Sequence, residues 1–285
     1  MLILKGDCHG DFSCFDFAEG ELTKDDVIVV LGDCGLMWPG WEEETVKYLD
    51  RTFSDPYTVI FIFGNHDNYD WAETLSKSNM FGGTVRPIEI GGKLYPHRFV
   101  VDDTTILDLC GEHCLLIPHA DSHDVAGGIF EPDDIEGIEE AKRGFYHFRI
   151  KHQTWWEQEK LNIPKTEAFL TLHKDEHFDA ILTHDCPALF CSHGRGDGGA
   201  RFKPTPAEEY LETLRQTLDF DVWAHGHMHF DFVPYSGKWE HSFDGNLHHV
   251  RKMVKKDKCF CLYNCFIPWH CLKNWDGDRG KIDIV

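Results

Sequence analysis

Residues of metal-ligand type gather in five short stretches of this chain: Gly6-Asp7-Cys8-His9, Gly32-Asp33-Cys34, Gly64-Asn65-His66-Asp67, Thr183-His184-Asp185 and His225-Gly226-His227-Met228-His229. Each follows an apolar run: Leu2-Ile3-Leu4, Val27 to Leu31, Val59 to Phe63, Ala180-Ile181-Leu182 and Val222-Trp223-Ala224. Short β-branched runs bounded by glycine and polar residues predict buried strands. In open α/β sheets, ligands bind just beyond the carboxyl ends of the strands. Carboxylate, amide and imidazole donors from five strand ends, brought to one sheet edge, would form a polynuclear metal centre with a catalytic role.

The elements that must position these donors can be read in outline. Residues 1 to about 70 alternate strand and helix patterns, with a helix expected over Trp41 to Leu49, which favours a parallel, helix-covered sheet. Gly82-Gly83 and Gly91-Gly92 punctuate further short strands. Thr104 to Leu109 and Cys114 to Ile117 flank Cys110-Gly111-Glu112-His113 as an antiparallel hairpin. A helix is expected over Trp155 to His173, broken or restarted at Pro164. Another is expected over Pro206 to Leu218, where proline opens the first turn and Tyr210, Leu211, Leu214 and Leu218 repeat at helical spacing. Short strands are expected after His229. No linker divides the chain, so residues 1–285 read as one domain, with ligand motifs over 7–229 and C-terminal strands over 230–285.

Bulk properties narrow the partners. The formal charge of -21 repels phosphate backbones and anionic membranes, which disfavours non-specific nucleic-acid binding. It does not bar a small phosphorylated substrate, because screening confines surface fields to about 8 Å at physiological salt. Met1-Leu2-Ile3-Leu4 is too short for a signal-peptide core, and no apolar segment reaches membrane-span length, so a cytoplasmic protein is expected. Eleven cysteines, an odd number without an export signal, read as reduced packing residues. Cys259, Cys261, Cys265 and Cys271 lack zinc-ribbon spacing, and Cys259 and Cys261 alternate as one strand face would.

In order, Asp7-x-His9, Gly32-Asp33, Gly64-Asn65-His66-Asp67, a strand-end His184 and Gly226-His227-x-His229 resemble the calcineurin-like metallophosphoesterase superfamily, which includes purple acid phosphatases and Ser/Thr protein phosphatases. The resemblance implies an α/β fold, a four-layer α/β/β/α sandwich with mixed sheets. It implies that Asp7, His9 and His229 hold one metal, that Asn65, His184 and His227 hold a second, and that Asp33 bridges them. His66 would stand beside the leaving-group oxygen and assist its departure, with a metal-bridging hydroxide attacking phosphorus in line. The mixed donors suit two ions of manganese, iron, zinc or nickel. Two divalent ions, less Asp7, Asp33 and a hydroxide, leave the centre positive by one charge, which suits a phosphate. Paired metals lower the pKa of bound water and clamp two phosphoryl oxygens.

This chain departs from the protein-phosphatase branch, whose Gly-Asp motif continues to an Asp that orients the histidine and an Arg that contacts phosphate. Leu36 and Met37 stand there instead, as an apolar wall or as core. Arg195 or Arg201, in a glycine-rich loop after His184, would either supply the phosphate contact or belong to a solvated mobile loop. His119-Ala120-Asp121-Ser122 and Thr154-Trp155-Trp156-Glu157 resemble features of a bacterial and phage-like branch. Trp155 and Trp156 would either stack on an aryl or nucleobase leaving group or anchor core. Asp67 and Asp185 read as hydrogen-bond acceptors behind the ligands, His225 as a local structural residue, and Cys8 and Cys34 as small packing residues. The expected activity is phosphomonoester or phosphodiester hydrolysis of a small phosphorylated or nucleotide substrate. The alternatives are a nuclease, a dinucleoside-polyphosphate hydrolase, or a non-catalytic metal-binding scaffold.

Overall fold

The computed structural model describes residues 1–18, 20–190, 203–229, 259–262 and 266–273. Its centre is a mixed seven-stranded sheet. β1 (Leu2–Lys5), β2 (Val27–Val30), β3 (Thr58–Ile62) and β6 (Lys93–Val101) run parallel, each beside the next. β5 (Gly83–Ile90), β4 (Ser78–Met80) and β14 (Phe266–Pro268) add antiparallel edges. A second, five-stranded sheet has the parallel strands β8 (Glu112–Ile117), β11 (His177–Thr183), β12 (Asp219–His225) and β13 (Cys259–Cys261). β7 (Thr105–Leu109) is antiparallel to β8, which makes the expected hairpin.

The apolar runs alternate faces as period-2 strands must. Leu4, Val29 and Ile62 of the first sheet share one cluster with Leu116, Leu182, Ala224 and Phe260 of the second. The intervening Ile3, Ile28, Val30 and Phe61 pack with Tyr48 and Leu49 of helix α1 (Glu42–Arg51). Ile181, Trp223, Cys259 and Cys261 pack with Leu211 and Leu214 of α5 (Pro206–Thr217) and with Leu170 of α4 (Ile163–Leu172). Strands covered on both faces read as continuous apolar runs, which is why β1, β2 and β3 show no exposed position. Cys259 and Cys261 therefore occupy one strand face, as expected.

Helix ends follow local chemistry. α5 begins in a capping box: the Thr205 hydroxyl accepts from Glu208 N–H while the Glu208 carboxylate accepts from Thr205 N–H. The expected helix from Trp155 is corrected. Glu157–Glu159 is a single 3₁₀ turn, and α4 starts only at Ile163, with Pro164 in its first turn and the Asn162 side chain accepting from Lys165 N–H at 3.1 Å. Proline lacks the N–H that a helix interior requires, whereas the first turn has no use for one.

Helix α2 (Tyr69–Thr74) follows β3, and a small unit of β9 (Ile129–Phe130), α3 (Ile135–Arg143) and β10 (Arg149–Ile150) follows β8. The helix α6 (Trp269–Lys273) closes the described part of the chain. Among the described residues, no helix is long and apolar enough to cross a membrane.

Candidate metal centre

Parallel register brings the strand ends level. Lys5 pairs with Val30, Val30 with Phe61, and Thr183 with His225, so the following loops leave their sheets at one edge. Backbone bonds then join the loops: Cys8 and His9 N–H both donate to Asp33 O, at 3.0 and 2.8 Å. The two sheets meet here too. His184 Nδ1 lies 2.7 Å from Leu31 O, and His227 N–H donates to Asp7 Oδ1 at 3.1 Å.

These contacts form two donor groups. One joins Asp7, His9, Asp33 and His229; the other joins Asp33, His184 and His227; each group offers donor atoms within 4.8 Å of one another. His9 Nε2 and His229 Nε2 are 3.0 Å apart, and Asp7 Oδ2 lies 3.7 and 3.4 Å from them. Asp33 turns one oxygen toward each group, with Oδ1 3.0 Å from His184 Nε2 and Oδ2 3.9 Å from His9 Nε2. Asn65 joins the second group, its Oδ1 3.3 Å from His184 Nε2. The Asn65 amide nitrogen donates to Ser122 Oγ at 3.4 Å, which leaves the oxygen turned to the centre.

The backbone is bent to achieve this. His9, Asp33, His227 and His229 have φ of 47°, 45°, 65° and 53°, in the left-handed region. For non-glycine residues such strain costs about 1–3 kcal/mol each and collects at functional sites. Gly226 has a different duty: a Cβ there would lie 2.3 Å from Asp7 Oδ1, so only glycine admits that carboxylate.

The residues fit metal ions. Asp7 Oδ2, Asp33 Oδ2 and both His227 ring nitrogens are buried without a hydrogen-bond partner among the described residues. Such orphaned polar atoms are costly, and cations coordinated by them would remove the cost. The His184 Nδ1–H bond to a carbonyl presents Nε2 as the donor, the usual arrangement behind a metal-bound imidazole. Burial alone would lower the His184 pKa, but Asp33 and Asp7 raise it to about 10. Burial raises Asp7 to about 7. Asp33 is held well below the carboxylate range despite its burial, by His184 and His66.

Residues 3–231 match the family model for calcineurin-like phosphoesterases. The chain belongs to that family. No curated protein matches the chain. A solved structure of a protein of unknown function, AQ665 from Aquifex aeolicus, is 13% identical over 77% of this chain and 87% of its own, with a TM-score of 0.30. Family and donor groups together support a metal-dependent phosphoesterase.

Around the centre of this phosphoesterase, several expectations resolve. Asp67 accepts from Gly64, Gly35 and Cys34 N–H at 2.8, 2.9 and 3.3 Å, and so ties two ligand loops together. Asp185 accepts from Cys186 N–H, and His225 Nδ1 sits 3.0 Å from Gly226 O. Cys8 and Cys34 are buried. Leu36 is core, not an exposed wall. Trp155 and Trp156 are both buried, which excludes them as a stacking platform for a leaving group. Trp38 instead stacks on His66, with ring centroids 5.2 Å apart. Arg195 and Arg201 lie outside the described residues.

Two residues escaped the sequence reading. Glu159, fully buried, accepts from Ser122 N–H at 3.1 Å and so supports the hydroxyl that orients Asn65. Burial raises its pKa to about 8. Arg149, at the start of β10, places Nη2 2.7 Å from His66 Nε2. Glu159 had a sequence signal in the Trp-Trp-x-x-Glu run. Arg149 had none, since nothing near it in sequence marks a site.

Proposed function

We propose that this chain is a dinuclear metal-dependent phosphoester hydrolase acting on a small phosphorylated or nucleotide substrate. Asp7, His9 and His229 would hold one ion, Asn65, His184 and His227 the other, with Asp33 shared. The observation that carries this reading is Asp33, which turns one carboxylate oxygen toward each donor group. Bound manganese, iron, zinc or nickel would supply an activated water and a positive clamp on phosphoryl oxygens. The chain's own residues do the rest. Asp67 and the Asp33 carboxylate, which accepts from His66 N–H at 2.8 Å, fix the loop carrying Asn65 and His66. His66, between Trp38 and His9, stands where it can assist the leaving oxygen. The same reading takes the two sheets as inner layers of a single-domain four-layer sandwich.

Protein purified without chelator should contain close to two ions per chain and hydrolyse p-nitrophenyl phosphate or bis-p-nitrophenyl phosphate. Metal-free protein should regain turnover with added manganese. Two bound ions with no turnover on either ester, or on dinucleoside polyphosphates, would overturn hydrolysis in favour of a scaffold.

A further inference from the structure

His66 lies beside a cation that is itself tightly fixed. Arg149 is 3% exposed. Its Nε donates to both Asp124 oxygens at 3.0 Å, and its Nη2 donates to Asp124 Oδ1 at 2.8 Å. Nη1 donates to Thr154 O at 2.7 Å, and the second Nη2 proton points to His66 Nε2 at 2.7 Å. The guanidinium also lies over the Trp38 ring that stacks on His66, 5.5 Å from its centroid. Four partners on three sides leave the guanidinium little freedom to move.

A guanidinium has five N–H donors and no acceptor, and it keeps its charge in proteins. The contact with His66 therefore has one possible sense: Arg149 donates and Nε2 accepts. A ring whose Nε2 accepts from a cation carries its proton on Nδ1 and is neutral. We propose that Arg149, anchored by Asp124 and Thr154 O, is a positioning residue that holds His66 in one orientation and in the Nδ1-protonated tautomer. The mini-sheet of β9 and β10 supplies it: Arg149 N–H donates to Gly128 O at 3.1 Å, and Ile150 N–H donates to the Thr154 hydroxyl at 2.8 Å, closing the turn that presents Thr154 O. The unit inserted between β8 and β11 is thus part of the site.

The role rests on the hydrolase reading above, so one arm of the test is independent of activity. In zinc-loaded, ¹⁵N-labelled full-length protein at neutral pH, side-chain histidine spectra, with His66 assigned through its loss in His66→Asn, should show the Nδ1-protonated ring. Arg149→Ala should shift that signal toward a tautomer mixture while metal content stays constant. Asp124→Asn, at a half-exposed anchor, should shift it part-way and keep the fold. An Nε2-protonated His66 in the wild type, or a signal indifferent to both substitutions, would overturn the proposal.

The second arm is a double-mutant cycle on a phosphoester. Arg149→Ala should lower kcat by about tenfold to a hundredfold with little change in KM, because misplacing a reacting group costs rate. In the His66→Asn background the same substitution should add almost nothing. Multiplying effects would instead make Arg149 act apart from His66. A wild type with no turnover would sink the hydrolase reading, and the spectra alone would then decide the role of Arg149.

Discussion

The two halves of the candidate centre are built differently. The His9 and His229 side chains are 23% and 50% exposed, whereas His184 and Asp33 are 0% and 1% exposed. His9 and His229 sit on left-handed loop residues open to solvent, whereas His184, at the end of β11, is enclosed against Leu31 of the first sheet. If the proposed pair of ions is bound, an ion held by His9 and His229 would exchange with solvent more readily than one held by His184. Asp33 alone belongs to both.

The largest expected effect therefore follows from Asp33→Asn, which should empty both sites and lower turnover by at least about a thousandfold, the scale of several kcal/mol of lost charge stabilisation. Metal analysis showing two ions retained would break the shared-ligand assignment. Next, His66→Asn should keep both ions yet lower kcat by about 10²–10⁴-fold. Full activity in that variant would remove His66 from the chemistry.

The halves themselves separate with single ligands. His229→Ala should lose one ion and leave thermal stability nearly unchanged. His184→Ala should lose the other and destabilise the fold by about 3 kcal/mol, because it leaves the buried Asp33 carboxylate without its partner. Equal melting temperatures for the two variants would dissolve the contrast.

Proton competition gives a finer test. Metal binding expels protons from its ligands, so affinity rises with pH until each ligand is deprotonated in the metal-free state. With Asp7 raised to about 7 by burial, affinity of the open half should level off near neutrality. The closed half should keep gaining toward pH 10, because Asp33 and Asp7 hold the proton on His184 against the effect of burial. Calorimetric titrations at pH 6, 7.5 and 9 would show the two slopes parting.

The smallest effect concerns Glu159. Burial raises its pKa from 4.5 to about 8, so the folded state binds a proton that the unfolded state has released between those values. Stability from this group is full below about pH 4.5 and declines as pH rises toward 8. Glu159→Gln should match the wild type in melting temperature at pH 5 and exceed it at pH 8. A wild type that gains stability over that window relative to the variant would reverse the sign.

The ligand loops were legible because each sits directly after a run with a strand signature. Asp7, Asp33, Asn65, His184 and His227 needed only the rule that parallel strands end together. The hairpin of β7 and β8 and the helix α5 were legible for the same reason, since periodicity, glycine and proline act locally. The Trp155 region failed because Trp155 and Trp156 are buried from an extended segment, Trp156 in the cluster that holds Trp38 and Tyr48, and an apolar run by itself does not distinguish a helix from an extended anchor. Arg149 was invisible for a different reason. Its partners His66, Asp124 and Thr154 come from separate segments, and only Thr154 is near it in sequence.

The sequence by itself determined the family, the donor types and the edge at which they gather, because strand period and turn chemistry are properties of a few consecutive residues. Tertiary structure decided which half of the centre is enclosed, which aromatic faces His66 and which cation fixes it. Those depend on how two sheets and an inserted unit pack, and packing couples residues whose separation along the chain carries no pattern.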